Sequence, residues 1–304
     1  MQSTNMLAGS GAMALADQQR RARRGFLAPL TIVLAGVTIV PFCMAIGLSF
    51  TNADPVRPGV HFIGLGNYAA LFSDPQFWAA CITTLLFTAI AVSVELGVGT
   101  AIGMALSHVR RGGVLLRTLF IIPLASAPVA VLYDWQLMLN PSYGVIDYVL
   151  GLLHLPQPDW LGTGHEALGT LVGVDIWQFT PLIIVIIAGG IASIPLEVYE
   201  AADVDGASGF RRFWYVTVPF LRPYLLVAVL FRMIDALKVF DSVAILTSGG
   251  PGTATTTLNY YAFRDAIWNL EFGRGTAAAL LLLIIAIVCT NVLLIGLRRA
   301  RGAL

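Results

Sequence analysis

Two polar stretches interrupt the apolar runs of this 304-residue chain, and their side chains are the first candidates for chemistry. The first stretch holds a carboxylate, an indole, an amide and a benzyl ring, at Asp175, Trp177, Gln178 and Phe179. Carboxylates and amides hydrogen-bond to hydroxyl groups, while an aromatic face packs on the C–H surface of a sugar ring. Polar groups inside an apolar helix are costly unless they line a cavity. The stretch therefore predicts a cavity for a neutral polyhydroxylated solute, the alternative being an interfacial tryptophan with polar neighbours.

The second stretch places charged residues three positions apart, at Arg232, Asp235, Lys238 and Asp241. Side chains three positions apart are neighbours on a helix, so we expect Arg232 to pair with Asp235 and Lys238 to pair with Asp241. Asp235 is the expected solute contact and the two basic residues are expected to be structural. An entirely structural network is the alternative.

A third polar group, Glu95, lies in an apolar run that also contains Gly99 and Gly103. The two glycines form a G-x-x-x-G face, which predicts close packing against another helix. A carboxylate at this depth must face the protein interior, where it either makes a packing hydrogen bond or takes part in transport.

Composition determines the broad class of the protein. Hydrophobic residues make up 57% of the chain and charged residues only 12%, against about 25% charged in soluble domains. The basic residues are scattered, so no nucleic-acid surface is predicted. The three cysteines lie in apolar runs without paired spacing, which indicates neither a disulfide framework nor a zinc site. No phosphate-binding G-x-x-x-x-G-K-[ST] loop occurs, so nucleotide hydrolysis by this chain is not expected.

The elements that must position these residues are membrane helices. Six apolar stretches are long enough to cross a bilayer, which predicts an all-α membrane protein with six transmembrane helices. They cover residues 26–50, 77–107, 114–139, 168–192, 223–246 and 276–297. Pro123 and Pro128 predict a bend in the third span.

The distribution of basic residues predicts the orientation. Arginines cluster in the N-terminal tail, in alternate connections and at the C-terminus, so both termini and the loop at about 193–219 are expected to be cytoplasmic. Residues 1–24 are interpreted as a disordered basic tail, and residues 25–304 as the membrane domain.

The loop at 193–219 carries its own helix signals. Pro195 suits a first helical position, Glu197 and Glu200 suit a helix N-terminus, and Gly206 can end a helix in the left-handed conformation. A short helix over 195–205 is therefore predicted. Its apolar residues surround much of the cylinder, which suits a helix that docks in a groove of a partner protein.

The sequence Glu200-Ala201-Ala202, followed after three residues by Gly206 and later by Pro219, resembles the EAA loop of ABC-importer permeases. In that family the loop docks on the cytoplasmic ATPase subunit. The resemblance implies that the ATPase-coupling residues are Glu200, Ala201, Ala202, Asp205, Gly206 and Pro219. An ordinary amphipathic connector is the alternative.

A second resemblance covers residues 231–241 and the Gly249-Gly250-Pro251-Gly252 turn, which are similar to the maltose-type first permease subunit of carbohydrate importers. It implies the type I ABC importer permease fold. The implied substrate-pathway residues are Asp175, Trp177, Gln178, Phe179, Asp235, Ala236 and Val239. At Ala236 and Val239 the chain departs from the family's polar or aromatic residues, so a carbohydrate or polyol is implied but not maltose itself.

These resemblances imply a permease subunit for an oligosaccharide, a disaccharide or a polyol, spanning the bacterial inner (plasma) membrane several times. The implied partners are a second homologous permease subunit, an ATPase dimer, an extracytoplasmic solute-binding protein and membrane lipid, with no nucleic acid. The chain is expected to be no enzyme and to hold no cofactor, because ATP and magnesium would bind to the ATPase partner.

Two other classes remain to be weighed. A stand-alone proton-coupled secondary transporter would use the intramembrane carboxylates as proton sites, but its usual inverted repeat is not visible in the sequence. A membrane-embedded enzyme would need a nucleophile and a base close together, or a metal site. The four histidines are instead dispersed along the chain, at His61, His108, His154 and His165.

Overall fold

The computed structural model describes residues 27–56, 59–107, 109 and 112–302 of the chain. Within these ranges the chain is helical or irregular, apart from one isolated antiparallel bridge between Thr51 and Phe62. The all-α prediction is therefore confirmed. The predicted tail at 1–24 lies outside the described residues.

The described chain is built mainly of α-helices. They are α1 (Leu27–Ser49), α2 (Gly66–Phe72), α3 (Pro75–Ser107), α4 (Gly113–Ala125), α5 (Pro128–Met138), α6 (Val145–Leu152), α7 (Gly164–Ala192), α8 (Leu196–Val204), α9 (Gly209–Arg212), α10 (Val218–Leu237), α11 (Leu258–Phe263) and α12 (Phe272–Gly302). Wider π-helical turns occur at Phe213–Thr217, Val243–Thr247 and Arg264–Trp268.

Several of these helices can cross a membrane. Among the described residues, α1, α3, α7 and the first part of α12 are each long and apolar enough to do so. The pair α4 and α5 makes a fifth span if it is counted as one, and its two halves meet at an angle of 92°. Pro123 lies inside α4 and Pro128 opens α5, so the predicted bend is confirmed. The sixth crossing and the orientation of the termini stay predictions.

The pair α3 and α7 forms the centre of the bundle, and its helices approach closely through glycine. A Cβ atom added at Gly99 would lie 2.6 Å from Cβ of Ile183, and one added at Gly103 would lie 3.1 Å from Cγ2 of Ile187. The predicted G-x-x-x-G packing is thus confirmed. Helix α10 covers the same contact, where Leu221 is fully buried with the two isoleucines.

Helix α10, the fifth predicted span, ends earlier than expected. Its last residue is Leu237, and the following backbone is held from the side by the start of α11. Asn259 Nδ2 donates to the carbonyl oxygen of Lys238 at 2.6 Å, and Thr257 Oγ1 donates to that of Val239 at 3.1 Å. The expectation of one helix running past Lys238 is wrong, because these side chains satisfy carbonyl groups that a continuing helix would satisfy itself.

Helix α1 stands apart from the rest of the described chain. None of its apolar window is buried, and Val37 is 71% exposed. At its end, Tyr68 donates to Ser49 Oγ at 2.9 Å and Asn67 Nδ2 donates to the Ser49 carbonyl oxygen at 2.8 Å. An apolar helix of this kind needs lipid or another chain around it.

Candidate functional site

Arg232 on α10 joins three helices through a buried charge cluster. Its Nε and Nη2 atoms donate to the two carboxylate oxygens of Glu95 on α3, at 2.6 and 2.8 Å. Nη2 also donates to Oδ2 of Asp175 on α7 at 2.6 Å, and Nη1 donates to Oδ2 of Asp235 at 2.9 Å. Arg232 and Glu95 are both 0% exposed. These are charge-assisted bonds, including one bidentate pair between two buried side chains, so they fix α3, α7 and α10 relative to one another.

The same guanidinium group orients an aromatic ring. Its central carbon lies 4.1 Å from the ring centroid of Phe179, which is cation–π geometry. Because Phe179 also lines the neighbouring cavity, Arg232 fixes this ring in the cavity wall.

A cavity of about 320 Å³ lies between α5, α7 and the segment that follows α10. Its polar side chains are Asp175, Gln178, Asp235, Lys238, Asp241 and Ser242. Its apolar wall includes Leu132, Phe179 and Val239. The volume and the mixture of apolar surface with a few converging polar groups are typical of small-molecule sites.

Five of the seven predicted pathway residues line this cavity, namely Asp175, Gln178, Phe179, Asp235 and Val239. Trp177 does not line it. Its side chain is 42% exposed and meets Trp135 edge to face, with 5.4 Å between the ring centroids. Ala236 is 1% exposed and belongs to the hydrophobic core. Successive side chains on a helix point about 100° apart, so Asp175 and Gln178 share a face that Trp177 cannot share.

Two of the three cavity aspartates, Asp175 and Asp235, differ in what they can still bind. Asp175 is 5% exposed and already accepts a bond from Arg232, whereas the Asp235 side chain is 43% exposed. The Nζ atom of Lys238 lies 3.5 Å from Oδ1 of Asp235. The predicted pairing of Arg232 with Asp235 is therefore confirmed. The predicted pairing of Lys238 with Asp241 is wrong. Helix α10 ends before Lys238, and the ammonium group of Lys238 lies near Asp235 instead.

Sequence reasoning missed the pairing of Arg232 with Glu95, which lie 137 positions apart. Each was visible only as a charge in an apolar run, and such charges usually pair with one another. Among the described residues, no group of three or more His, Cys, Asp or Glu side chains is arranged to hold a metal ion.

Helix α8 builds a second candidate site. The N–H group of Gly206 donates to the carbonyl oxygen of Asp203 at 3.1 Å, and that of Ala207 donates to Ala202 at 3.0 Å. With Gly206 at φ +70°, these two bonds form a Schellman end. The prediction that Gly206 ends the helix is confirmed. The helix begins one residue later than predicted, because Pro195 is the residue before its first turn.

The surface of α8 is partly apolar. Leu196 is 67% exposed and Val204 is 87% exposed. The exposed predicted coupling residues are Glu200, Ala201, Asp205 and Gly206, while Ala202 is buried and Pro219 is half-buried. The ion pair between Arg212 and Asp203, at 2.8 Å, fixes α8 to the following turn. Helix α8 thus exposes acidic and apolar side chains to a potential partner, and the Arg212–Asp203 ion pair joins it to α9.

An ionic brace joins α12 to the turn before α3. Arg274 pairs with Asp74, and the Tyr261 hydroxyl donates to Asp74 Oδ2 at 2.7 Å. Burial raises the pKa of Asp74, but the hydrogen bonds from Tyr261 and from the Gln76 amide, together with the charge of Arg274, outweigh it. The net pKa of Asp74 lies below its ordinary value. Asp74 is therefore held as a carboxylate in the brace.

The chain matches the family model described as "Binding-protein-dependent transport system inner membrane component" over residues 97–300. It is 36% identical over 278 residues to the trehalose/maltose transport system permease protein MalF of Thermococcus litoralis, covering 90% of this chain and 94% of that protein. It is 34% identical over 277 residues to the sulfoquinovosyl glycerol transport system permease protein SmoG of Agrobacterium fabrum, covering 88% and 87%.

A solved structure shares the fold. One chain of a bacterial ABC transporter involved in the import of the acidic polysaccharide alginate matches with a TM-score of 0.80 and 21% sequence identity. The match covers 94% of this chain and 98% of that chain. At this identity the likeness concerns the fold, which extends over nearly the whole of both chains.

Proposed function

Since the chain belongs to the family of binding-protein-dependent transport system inner membrane components, we propose that it forms half of the pathway of an ATP-driven importer for a sugar or sugar-like solute. Family membership makes it a multi-pass membrane protein and a transport subunit. The finer assignment is an importer of an oligosaccharide, a disaccharide or a polyol. The names of its relatives support this class, since MalF is named for trehalose and maltose and SmoG for sulfoquinovosyl glycerol.

The cavity beside Arg232 is the observation that carries the proposal. It brings the carboxylate of Asp235, the amide of Gln178 and the ring of Phe179 together inside an apolar bundle. Carboxylate and amide oxygens accept bonds from sugar hydroxyls, and the ring offers an apolar face to the sugar. Trp177 and Ala236 do not line this cavity and are left out of the proposed solute site.

The coupling proposal rests on α8. We assign its exposed face, with Leu196, Glu200 and Val204, to a separate ATPase subunit, which would hold ATP and magnesium. Closure of the ATPase dimer would draw α8 inward and turn the cavity toward the solute-binding protein, and hydrolysis would release it toward the cytoplasm. Solute and ATPase each favour one of two conformations, so transport follows from alternating their populations.

A second permease subunit would supply the other half of the pathway. The unburied α1 supports this, because its apolar surface has no cover within the described chain. Lipid would cover what the partner leaves exposed.

A reconstitution experiment tests the proposal. The chain is co-expressed with candidate ATPase and permease subunits from the same genome, purified, and placed in vesicles with the candidate solute-binding protein. We expect the ATPase to co-purify, and solute uptake to require ATP and to survive a protonophore. Asp235→Ala should lower uptake about tenfold, the effect of roughly one lost charge-assisted hydrogen bond, without loss of assembly.

Trp177→Phe is the matched control, because Trp177 lies outside the cavity. Uptake driven by a proton gradient in vesicles without the ATPase would instead establish the secondary transporter, and equal uptake by the Asp235→Ala variant would remove the cavity from the pathway.

A further inference from the structure

We propose that the cavity beside Arg232 selects neutral sugars and rejects anionic ones. The proposal rests on the proposed function and deepens it by naming the class of solute. Relatives of the chain are named for both kinds of solute. MalF is named for trehalose and maltose, which are neutral, and SmoG for sulfoquinovosyl glycerol, which carries a sulfonate. The choice follows from how the charges of the cavity wall are paired.

Arg232 is not available to bind an anionic solute. Its side chain is 1% exposed, so it does not reach the cavity space. A guanidinium group has five N–H groups, and four of those of Arg232 already donate to Glu95, Asp175 and Asp235. Its positive charge, which lies behind the cavity wall, offsets part of the negative charge of these three carboxylates.

Lys238 is the one cation that lines the cavity in the described part of the chain. Its Nζ atom lies 3.5 Å from Asp235, and Asp241 lines the same cavity without an ion pair to any described residue. An anion that entered the cavity to reach Lys238 would also come close to the two carboxylates that line the same cavity. Lys238 therefore offers an anion no net attraction.

The net charge of the whole cluster is also negative. Glu95, Asp175, Asp235 and Asp241 contribute four carboxyl groups, against the two cations Arg232 and Lys238. Glu95 and Asp175 share the Nη2 atom of Arg232, so one cation serves two carboxyl groups. The carboxyl groups of the cluster therefore outnumber its cations.

A negative wall in a water-filled cavity with apolar surroundings repels anions more strongly than the same charges on an open surface, because the low-dielectric surroundings concentrate the field in the cavity. Neutral hydroxyl groups meet no such penalty, because they can donate hydrogen bonds to Asp235 and Asp241. Gln178 adds an amide that can both donate and accept. The same groups that bind a neutral sugar thus exclude a sulfonate, a phosphate or a uronate.

Charged thiol reagents measure this potential without any knowledge of the solute. In the assembled complex, Cys43, Cys81 and Cys289 are replaced by alanine, and Val239→Cys is introduced in the cavity wall. Reaction rates are measured with a cationic and an anionic methanethiosulfonate. Tyr143→Cys, at a loop position that is 70% exposed, is the matched control, and β-mercaptoethanol gives the rate ratio for a thiol in solution.

We expect the ratio of the cationic to the anionic rate to be at least about tenfold higher at Val239→Cys than at Tyr143→Cys. Adding Asp235→Asn should lower the ratio, because it removes a carboxylate and exposes the charge of Lys238. Adding Asp203→Asn, in α8, should leave it unchanged.

Equal ratios at the two positions, or faster reaction with the anionic reagent at Val239→Cys, would overturn the proposal. So would a cysteine at 239 that reacts with neither reagent, since the proposal needs a cavity open to water. These rates require neither uptake nor ATP, so a failure here is distinct from a failure of the importer assignment.

Discussion

At the scale of single residues, the main feature of this protein is a guanidinium group that holds three helices and one aromatic ring. Arg232 contacts Glu95, Asp175 and Asp235 directly, and its central carbon lies over Phe179. Only Asp235 keeps substantial exposure to the cavity. The buried carboxylates of Glu95 and Asp175 therefore hold the helices together, whereas the carboxylate of Asp235 faces the cavity.

This arrangement predicts that removing a carboxylate from the buried cluster lowers the free energy of unfolding more than removing one from the surface. Glu95→Ala should destabilise the folded protein by about 3–5 kcal/mol, because it leaves the buried Arg232 without its bidentate partner. Asp203→Ala, which removes an exposed ion pair with Arg212, should cost at most about 1 kcal/mol. Denaturant titration of the purified complex in mixed micelles measures both. Similar small losses for the two variants would mean that the cluster does not hold α3 against α10.

At the scale of elements, the short helix α8 is shaped by its two ends. Leu196 begins it directly after Pro195, and Gly206 ends it in the left-handed conformation. A Cβ atom would meet nothing within 4 Å at Gly206, so the reason for glycine there is the backbone angle and not the space. Gly206 sets the direction in which the chain leaves α8. It therefore also determines how the exposed face of α8 is placed.

A matched pair of glycine substitutions tests this reading. Gly206→Val should cost about 1–2 kcal/mol locally, since a branched side chain opposes the left-handed angle. We expect the variant to insert normally and to lose ATPase co-purification and uptake. Gly209→Val is the control, because that position is equally open and has no positive φ. Co-purification unchanged in the Gly206→Val complex would remove α8 from the docking surface.

At the scale of the whole molecule, the described chain is a bundle with one helix outside it. α3, α7 and α10 pack together and enclose the charge cluster, while the apolar window of α1 is not buried against the described chain. The proposed second permease subunit would give the exposed apolar surface of α1 a protein partner.

Cross-linking can locate what covers α1. In the cysteine-free background, we expect Val37→Cys to cross-link to the second permease subunit within the assembled complex, because its side chain is exposed and apolar. Val204→Cys on α8 should cross-link to the ATPase instead. Mass spectrometry of the products identifies each partner. Products joining Val37→Cys to α3 or α7 of the same chain would show that α1 folds back on its own bundle.

The sequence by itself determined the class of the protein and most of its helices, because both follow from local composition and period. The apolar runs predicted the long helices, Pro123 and Pro128 predicted the bend, and Gly206 predicted the end of α8. Each of these depends on a few neighbouring residues. Asp175, Gln178 and Asp235 also line the cavity as predicted, since polar groups in apolar helices turn inward.

Tertiary structure alone decided how those polar groups pair. Glu95 meets Arg232 across 137 positions, and α10 ends at Leu237 because Thr257 and Asn259 from a later segment satisfy the carbonyl groups beyond it. Side-chain direction then excluded Trp177 and Ala236 from the cavity. Such contacts arise from the mutual placement of distant segments, and local sequence patterns contain no information about that placement.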